Sequence, residues 1–586
     1  MVTYTGVGPW TELVDAAHAF GAKIFVQLSA GFGRTAHPHI LRDTPVSASV
    51  LSNYWDPKIR CREVTADEVE TLIKAFGPAA ELLVDCGVDG FELHGHEGYL
   101  FDQFTTAIWN HRTDRYGGDL ACRMRFPLEV LHEIRKHVGR GVPVQYRFGL
   151  KHYIKGLWQG ALPGEKYTEA GRDIQEGLTM ARMLEDAGFD ALHVDAGCYD
   201  SWYWAHPPGY HAYGCMVDMA EEVKKAVTIP VISVGRLDHP ELAGKVIAQG
   251  KADLVAIGRG FLADPFWAKK VEEGQQKRIR PCVGCHDGCM GRLVVGKATS
   301  CAVNPASGRE RSYAVSPVKT CKDVMVIGGG VAGMEAGRVA ALRGHKVALY
   351  EKSDRLGGHM TEAVVMPFKA SEQRLLKWYE AELEALHVDV HLKSGVTPDF
   401  VFRRKPDTVI VATGSKPIRL NIPGADRHNV ITACDLLTRE PAQAGEKMLV
   451  IGGGRVGCET ALWLAQQGKQ VTLAERLDDL LMAGSPVPWM NRKMLLDLLA
   501  LNQVKVLTGL SLAEVSDAGA VLVDKDFRRE VLPADTVILA VGLEPVQDVY
   551  RSLKGQLTDL YLIGDARKAW NMMNAIWDAY EVARAL

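Results

Sequence analysis

Between residues 23 and 257 the chain alternates short apolar, β-branched runs with longer segments of helical periodicity. The runs are 23–28 (KIFVQL), 88–93 (VDGFEL), 142–148 (VPVQYRF), 191–195 (ALHVD), 229–234 (IPVISV) and 253–257 (DLVAI). Near-continuous apolar runs mark strands covered on both faces, as in parallel sheets. Segments 66–86 and 178–187 between them are amphipathic helices by pattern. Repeated strand–helix units predict a (β/α)8-type barrel, of α/β class. Such a barrel closes with eight strands and six are counted, so the pattern predicts one lacking its first two strands and left with two unpaired edges. From 321 onward the pattern becomes strand, glycine turn, helix, strand, and it occurs twice. The predicted order is a partial barrel over 1–281, a cysteine-bearing segment and linker over 282–320, a nucleotide-binding domain over 321–445 and 541–586, and a second one inserted over 446–540.

Polar residues crowd the C-terminal ends of the barrel strands, where such barrels gather their chemistry. They are Gln27; His94, His96, Glu97 and Tyr99; Arg147; Asp195 and Tyr199; Gly235 and Arg236; Gly258 and Arg259. Two Gly-Arg pairs at successive strand ends suit a phosphate, because glycine lets backbone N–H groups approach it and guanidinium neutralises it. A single histidine after a strand is as often a structural hydrogen-bonder as a catalyst, yet four polar side chains within six residues are dense for a bland core. The loop GCYDSWYWAHPPGYHAYG is aromatic: Trp202, Tyr203, Trp204 and Tyr210 either line a pocket for a flat substrate or pack on one another.

Between barrel and nucleotide domains, Cys282, Cys285, Cys289 and Cys301 follow C-x2-C-x3-C-x11-C. Four thiolates close the coordination of one [4Fe-4S] cluster, and Gly284, Gly288 and Gly291 let backbone wrap around it. Zinc is the rival, although zinc pairs come as two CxxC hairpins; unliganded core cysteines are the third reading.

Gly328-x-Gly330-x-x-Gly333 joins a strand to a helix, and the next strand ends at Glu351. The twin is Gly452, Gly454 and Gly457 with Glu475, and in both the acid falls 23 residues after the first glycine. This is the dinucleotide fingerprint, with pyrophosphate at the helix N-terminus and the acid on the ribose hydroxyls. Glu475 favours NADH by repelling a 2′-phosphate, while Arg476 beside it would accommodate NADPH.

Composition narrows the classes. With 47% hydrophobic and 24% charged residues and a net charge of -3, the chain has neither a basic footprint for nucleic acid nor a polybasic membrane patch. The opening MVTYTGVGPWTELVD has no signal-peptide pattern, and no run of 18 uncharged apolar residues spans a bilayer. A cytoplasmic protein is expected, acting on a small molecule, with homo-oligomerisation open. Outside the cysteine segment, the other eight of the twelve cysteines are scattered singly, as reduced core thiols are.

The segments KIFVQLSAGFGR, FELHGHEGYLFDQFTTAIWNHRTDRYGG, VQYRFG, ISVGRL and ADLVAIGRGFLADP resemble the FMN barrel of the old yellow enzymes. With the cysteine segment behind them, the whole chain resembles the 2,4-dienoyl-CoA reductase and 2-enoate reductase group, and is more distantly similar to trimethylamine dehydrogenase. The resemblance implies that Gln27 holds the flavin pyrimidine edge, Arg147 sits near N1/O2, and Arg236, Gly258 and Arg259, beside Gly235, hold the FMN phosphate. It places His94 on the substrate carbonyl and Tyr99 as proton donor to Cα; His96 or a protonated Glu97 would share the carbonyl, or Glu97 would orient His94. Glu97 departs from the group, where His, Asn or Tyr is usual, and the histidine that thioester reductases carry after residue 195 is not found at the corresponding spot. In the nucleotide domains, the two-dinucleotide disulfide-reductase-like fold places FAD first and NAD(P)H second, with Asp565 of YLIGDA on the flavin ribitol. Electrons would then run from NADH (or NADPH) through FAD and the cluster to FMN, reducing the C=C bond of an α,β-unsaturated carbonyl compound. The alternatives are an amine dehydrogenase and an electron-transfer (diaphorase) subunit without alkene reduction.

Overall fold

The computed structural model describes residues 6–41, 43–438 and 445–586. Residues 1–5, part of the opening stretch read above for a signal peptide, lie outside them. The chain forms two compact units, 1–207 with 211–257, and 208–210 with 258–586. The main segment of the second unit starts at Gly258.

In the first unit the strands β1 (Phe25–Leu28), β2 (Gly90–Gly95), β3 (Val144–Gly149), β4 (Ala191–Asp195), β5 (Val231–Ser233) and β6 (Leu254–Val255) form one sheet in that order, every pairing parallel. The six runs read from the sequence are these six strands. Among the described residues β1 and β6 do not pair with each other, and Phe25 (42%) and Leu254 (49%) are exposed at the two edges. Helix α1 (Val7–His18) precedes β1, and α2 (Ala66–Asp85), α3 (Leu100–Thr105), α4 (Leu120–Val138), α5 (Ile174–Ala187), α6 (Val217–Ala226) and α7 (Pro240–Ala248) lie between successive strands. Their starts are written locally. Thr65 and Glu68 close a capping box on α2, and Asp119 and Asp173 cap α4 and α5 by accepting from Cys122 and Glu176 N–H groups.

The sheet puts unlike residues on its two faces. Phe91, Leu93, Tyr146, Leu192 and Val194 are fully buried on one, while Gln27, Glu92 and Gln145 form a cross-strand row on the other. Parallel strands with period 2 force this segregation, because each row of partners points the same way.

The second unit holds two parallel five-stranded sheets. The first orders β9 (Asp389–His391), β8 (Lys346–Tyr350), β7 (Asp323–Ile327), β10 (Thr408–Val411) and β16 (Leu560–Leu562). The second orders β11 (Val430–Thr432), β15 (Thr536–Leu539), β12 (Lys447–Ile451), β13 (Gln470–Ala474) and β14 (Lys505–Leu507). β11 lies in the stretch given above to the first nucleotide domain, yet it pairs with β15 in the second sheet. Three residues carry too weak a periodicity to say which sheet they join. Helices α8 (Val331–Leu342) and α9 (Arg455–Gln466) follow β7 and β12. Among the described residues no helix is long and apolar enough to cross a membrane.

Candidate active site and cofactor-binding segments

On the polar face of the barrel sheet, Glu92 is the hub. Its carboxylate accepts from Gln27 Nε2 and Gln145 Nε2, both at 2.6 Å, and lies 2.8 Å from His193 Nδ1. Burial alone would raise its pKa, but His193, Arg147 and Gln27 outweigh that and bring it down to about 2. One row toward the strand ends, Arg147 donates through Nε (3.1 Å) and Nη2 (2.5 Å) to Asp195 Oδ2. Burial opposes its charge, and Asp195, Glu92 and Glu97 together secure it. His96, fully buried, has Nε2 3.4 Å from Asp195 Oδ1. Glu92 and His193 were not singled out in the sequence; an acid and a base at the middle of apolar strands were the available signal.

At the end of β2 the chain turns sharply, with Glu97 at φ 65 and Gly98 at φ 77. A glutamate in that region is strained by about 1–3 kcal/mol and must be held. Asp102 accepts from Gly98 N–H (2.8 Å), Gln103 donates to Gly98 carbonyl (2.6 Å), and Asp102 is itself gripped by Arg172 (2.9 Å) and His152 (3.2 Å) with all three fully buried. The turn delivers His94 and Tyr99 side by side, rings 4.8 Å apart at 70°. Burial lowers His94 to about 4, so it is a neutral imidazole, and its Nδ1 is buried without a hydrogen-bond partner among the described residues. Burial, then the Glu97 charge, pushes the Tyr99 phenol up, and its hydroxyl lies 3.4 Å from that of Tyr199.

Glu97 is buried, and burial would favour its protonated form. His206, with Nε2 3.2 Å away, and then His96 and His94 reverse that and hold it well below the usual carboxylate range. A protonated Glu97 sharing a carbonyl therefore does not match the site. His206, in the loop after β4, was not among the sequence candidates, because only the tertiary fold brings it to Glu97. The aromatics of that loop pack on their neighbours: Tyr199 stacks on Trp202 at 4.5 Å and Trp204 on Tyr153 at 3.8 Å, with Tyr203 fully buried. Tyr210 belongs to the second unit, where it donates to Glu459 (2.8 Å).

Gly235 has φ 105 and Arg236 φ 54; the Arg236 guanidinium donates to the His211 carbonyl and lies over the Tyr213 ring at 4.5 Å. In the second unit Arg259, following Gly258, has Nη1 2.6 Å from His286 Nε2, inside the cysteine segment.

The two glycine loops superpose in kind. A Cβ on Gly333 would sit 1.9 Å from the Gly328 carbonyl oxygen, and one on Gly457 1.8 Å from that of Gly452, so only glycine lets each helix start against its own strand. Gly330 and Gly454 cap α8 and α9 with identical φ −71, ψ 179, which leaves both helix N-termini open for pyrophosphate. Glu351 accepts from Gly329 N–H (2.7 Å) and Glu475 from Gly453 and Leu477 N–H, fixing each acid at its strand end with lone pairs to spare for ribose hydroxyls. Asp565 accepts from Ser415 Oγ at 3.1 Å. These residues fit two dinucleotides.

Cys282, Cys285, Cys289 and Cys301 are half-buried and joined in no disulfide, and Cys282, Cys285 and Cys301 pack on one core with Val283 and Val303. Burial pushes the Cys301 thiol up to about 12 and the Cys285 and Cys289 thiols upward too, and their mutual repulsion adds to it. Burial and proximity thus disfavour the thiolates unless a cation stands between them, which is what an iron–sulfur core supplies. A Cβ on Gly288 would lie 2.4 Å from Ala302 N, so the loop closes on Cys301 only with glycine there. Trp577 Nε1 donates to the Cys301 carbonyl (3.0 Å). The donor set fits a cluster.

Comparison with known proteins agrees with this geometry. Residues 4–278 match the NADH:flavin oxidoreductase / NADH oxidase family, and 322–568 match pyridine nucleotide-disulphide oxidoreductases. The chain is 45% identical over 574 residues to cinnamate reductase of Clostridium sporogenes, covering 98% of this chain and 86% of that one. It is 39% identical to an NADH oxidase of Thermoanaerobacter brockii, with the same shares. Its fold matches 2-naphthoyl-CoA reductase in complex with 2-naphthoyl-CoA, with a TM-score of 0.91 at 29% identity, over 100% of this chain and 88% of that one. The chain belongs to the NADH:flavin oxidoreductase / NADH oxidase family and is an oxidoreductase with FMN, FAD, NAD(P)H and a [4Fe-4S] cluster as its cofactors.

Proposed function

We infer that the protein spends NADH electrons on the C=C bond of an α,β-unsaturated carbonyl compound, with an enoate or thioester conjugated to an aromatic ring as the best-supported class. The observation that carries this is the His94–Tyr99 pair, a neutral imidazole packed on a half-buried phenol at one strand end. Support for the substrate class comes from the similarity to proteins named for cinnamate and 2-naphthoyl-CoA.

Bound FMN would supply hydride to Cβ, using electrons delivered from NADH by way of FAD and the cluster. In this reading Gln27, Arg147, Gly235 and Arg236 hold FMN; Gly328, Gly330, Gly333, Glu351 and Asp565 hold FAD; and Gly452, Gly454, Gly457 and Glu475 hold NADH. Cys282, Cys285, Cys289 and Cys301 ligate the cluster. His94 donates a hydrogen bond to the carbonyl oxygen as negative charge develops there, and being neutral it does so without surrendering its proton. Tyr99 protonates Cα. Burial and the nearby Glu97 carboxylate keep the phenol protonated until that moment, and Tyr199 stands next in line for the replacing proton. Asp195 steadies the Arg147 cation, and Glu97 with His206 and His96 holds the turn that aims His94 and Tyr99. The protein works in the cytoplasm on a small molecule, which the net charge of -3 and cysteines joined in no disulfide support.

The test is anaerobic. Enzyme reduced with NADH is mixed with cinnamate, a cinnamoyl thioester or a cyclic enone, and flavin reoxidation is followed with mass analysis of the product. Reoxidation with a gain of two hydrogens is expected; flavins reduced by NADH but left reduced by every alkene would overturn the reading.

A further inference from the structure

The second unit carries a cluster built from none of the residues assigned above to a cofactor. His359 and Glu362 lie on the turn and short helix after Gly357 and Gly358, and Cys434 lies in the helix that follows β11, capped by Thr432. His359 Nδ1 is 2.9 Å from Glu362 Oε2 and 3.8 Å from Cys434 Sγ, and one ligand atom from each of the three lies within 4.8 Å of the others. The other ring nitrogen, Nε2, is 2.9 Å from the Ser415 carbonyl, which accepts and never donates, so Nε2 carries its hydrogen and Nδ1 is the ligand atom. Nitrogen, carboxylate oxygen and sulfur thus converge on one small volume. A proton satisfies one pair of them; a divalent ion satisfies all three.

We propose that His359, Glu362 and Cys434 bind a divalent cation of the Zn2+ class. Mixed N, O and S donors suit borderline-soft ions over Mg2+ or Ca2+. Zinc bonds of about 2.0–2.3 Å at tetrahedral angles separate ligand atoms by roughly 3.3–3.7 Å, within small side-chain adjustments of the spacing here. The side chains of His359 and Glu362 keep 32% and 19% exposure, so the ion enters from solvent and a fourth position is left to water. The site also spans the two nucleotide-binding halves. His359 and Glu362 belong to the connection between β8 and β9 of the first sheet, whereas Cys434 hangs from β11 of the second. A bound ion would staple the halves together, next to the turn whose Ser415 hydroxyl donates to Asp565. The site stands on these side chains alone and is independent of the substrate proposed above.

The experiment uses the holoenzyme with iron and flavin contents verified after EDTA dialysis. Zinc is titrated by equilibrium dialysis with elemental analysis, and its surroundings are read by X-ray absorption at the zinc edge. One zinc per chain with a single sulfur neighbour is expected. Cys434→Ser, His359→Gln and Glu362→Gln should each weaken zinc binding about tenfold or more with iron and flavin contents unchanged. Unchanged affinity in all three variants, absence of stoichiometric zinc in the wild type, or an all-sulfur shell would overturn the proposal.

Discussion

The barrel sheet and the twin nucleotide loops build their sites by opposite means. In the loops the chemistry is backbone: identical N-cap angles at Gly330 and Gly454 and near-contact of Gly333 and Gly457 with their own strands. Side chains there mainly lock an acid in place. In the barrel the chemistry is side chains, and charge is placed by charge: Glu92 by His193, Arg147 by Asp195, Glu97 by His206. Backbone sites are robust to neighbours but intolerant of a single methyl group. Sites of paired charges tolerate small changes of shape and fail when a partner is lost.

Breaking the backbone side of that comparison gives the largest effects. Gly457→Ala should abolish reduction of the flavins by NADH while flavin content stays normal, and Gly333→Ala should yield protein without FAD; stopped-flow reduction and extracted-flavin analysis read the two. Next comes the barrel's supporting network. Asp102→Ala leaves Arg172 and His152 buried without their anion and should cost about 3–5 kcal/mol in urea unfolding of the barrel. If the loss stays under about 1 kcal/mol, the turn at Glu97 is not held as described.

Tyr99→Phe is smaller in energy but more selective. It should slow flavin reoxidation by the alkene about 100-fold, the usual contribution of a positioned acid, and leave reduction by NADH intact. Equal slowing of both halves would remove Tyr99 from the proton path. The smallest effect is the acid sensitivity of His94. Its pKa in the folded protein, about 4, is below the ordinary 6.5, so its contribution to stability is complete above pH 6.5. As pH falls toward 4 the unfolded chain takes up a proton that the folded one refuses, and about 2 kcal/mol is lost by pH 5. His94→Gln should remove that slope between pH 6.5 and 5 in the same unfolding measurement, and kcat/KM of the wild type should show no His94 titration from pH 5 to 8.

The six barrel strands, both glycine fingerprints with their acids and the four-cysteine spacing were legible in the chain order, because each is set by interactions within a few residues or by a fixed 23-residue strand–helix–strand unit. What surrounds those residues was decided only by folding. His206 reaches Glu97 across 109 positions and His193 reaches Glu92 across 101; Arg259 turns to His286 in the cysteine segment, and Cys434 meets His359 from the other half of the nucleotide-binding unit. Pairing of buried charges depends on which strands lie side by side and which way each residue faces, and a three-residue strand such as β11 declares its sheet only by its neighbours. Local geometry therefore named the cofactors, while tertiary packing set the protonation states that make the barrel site reactive.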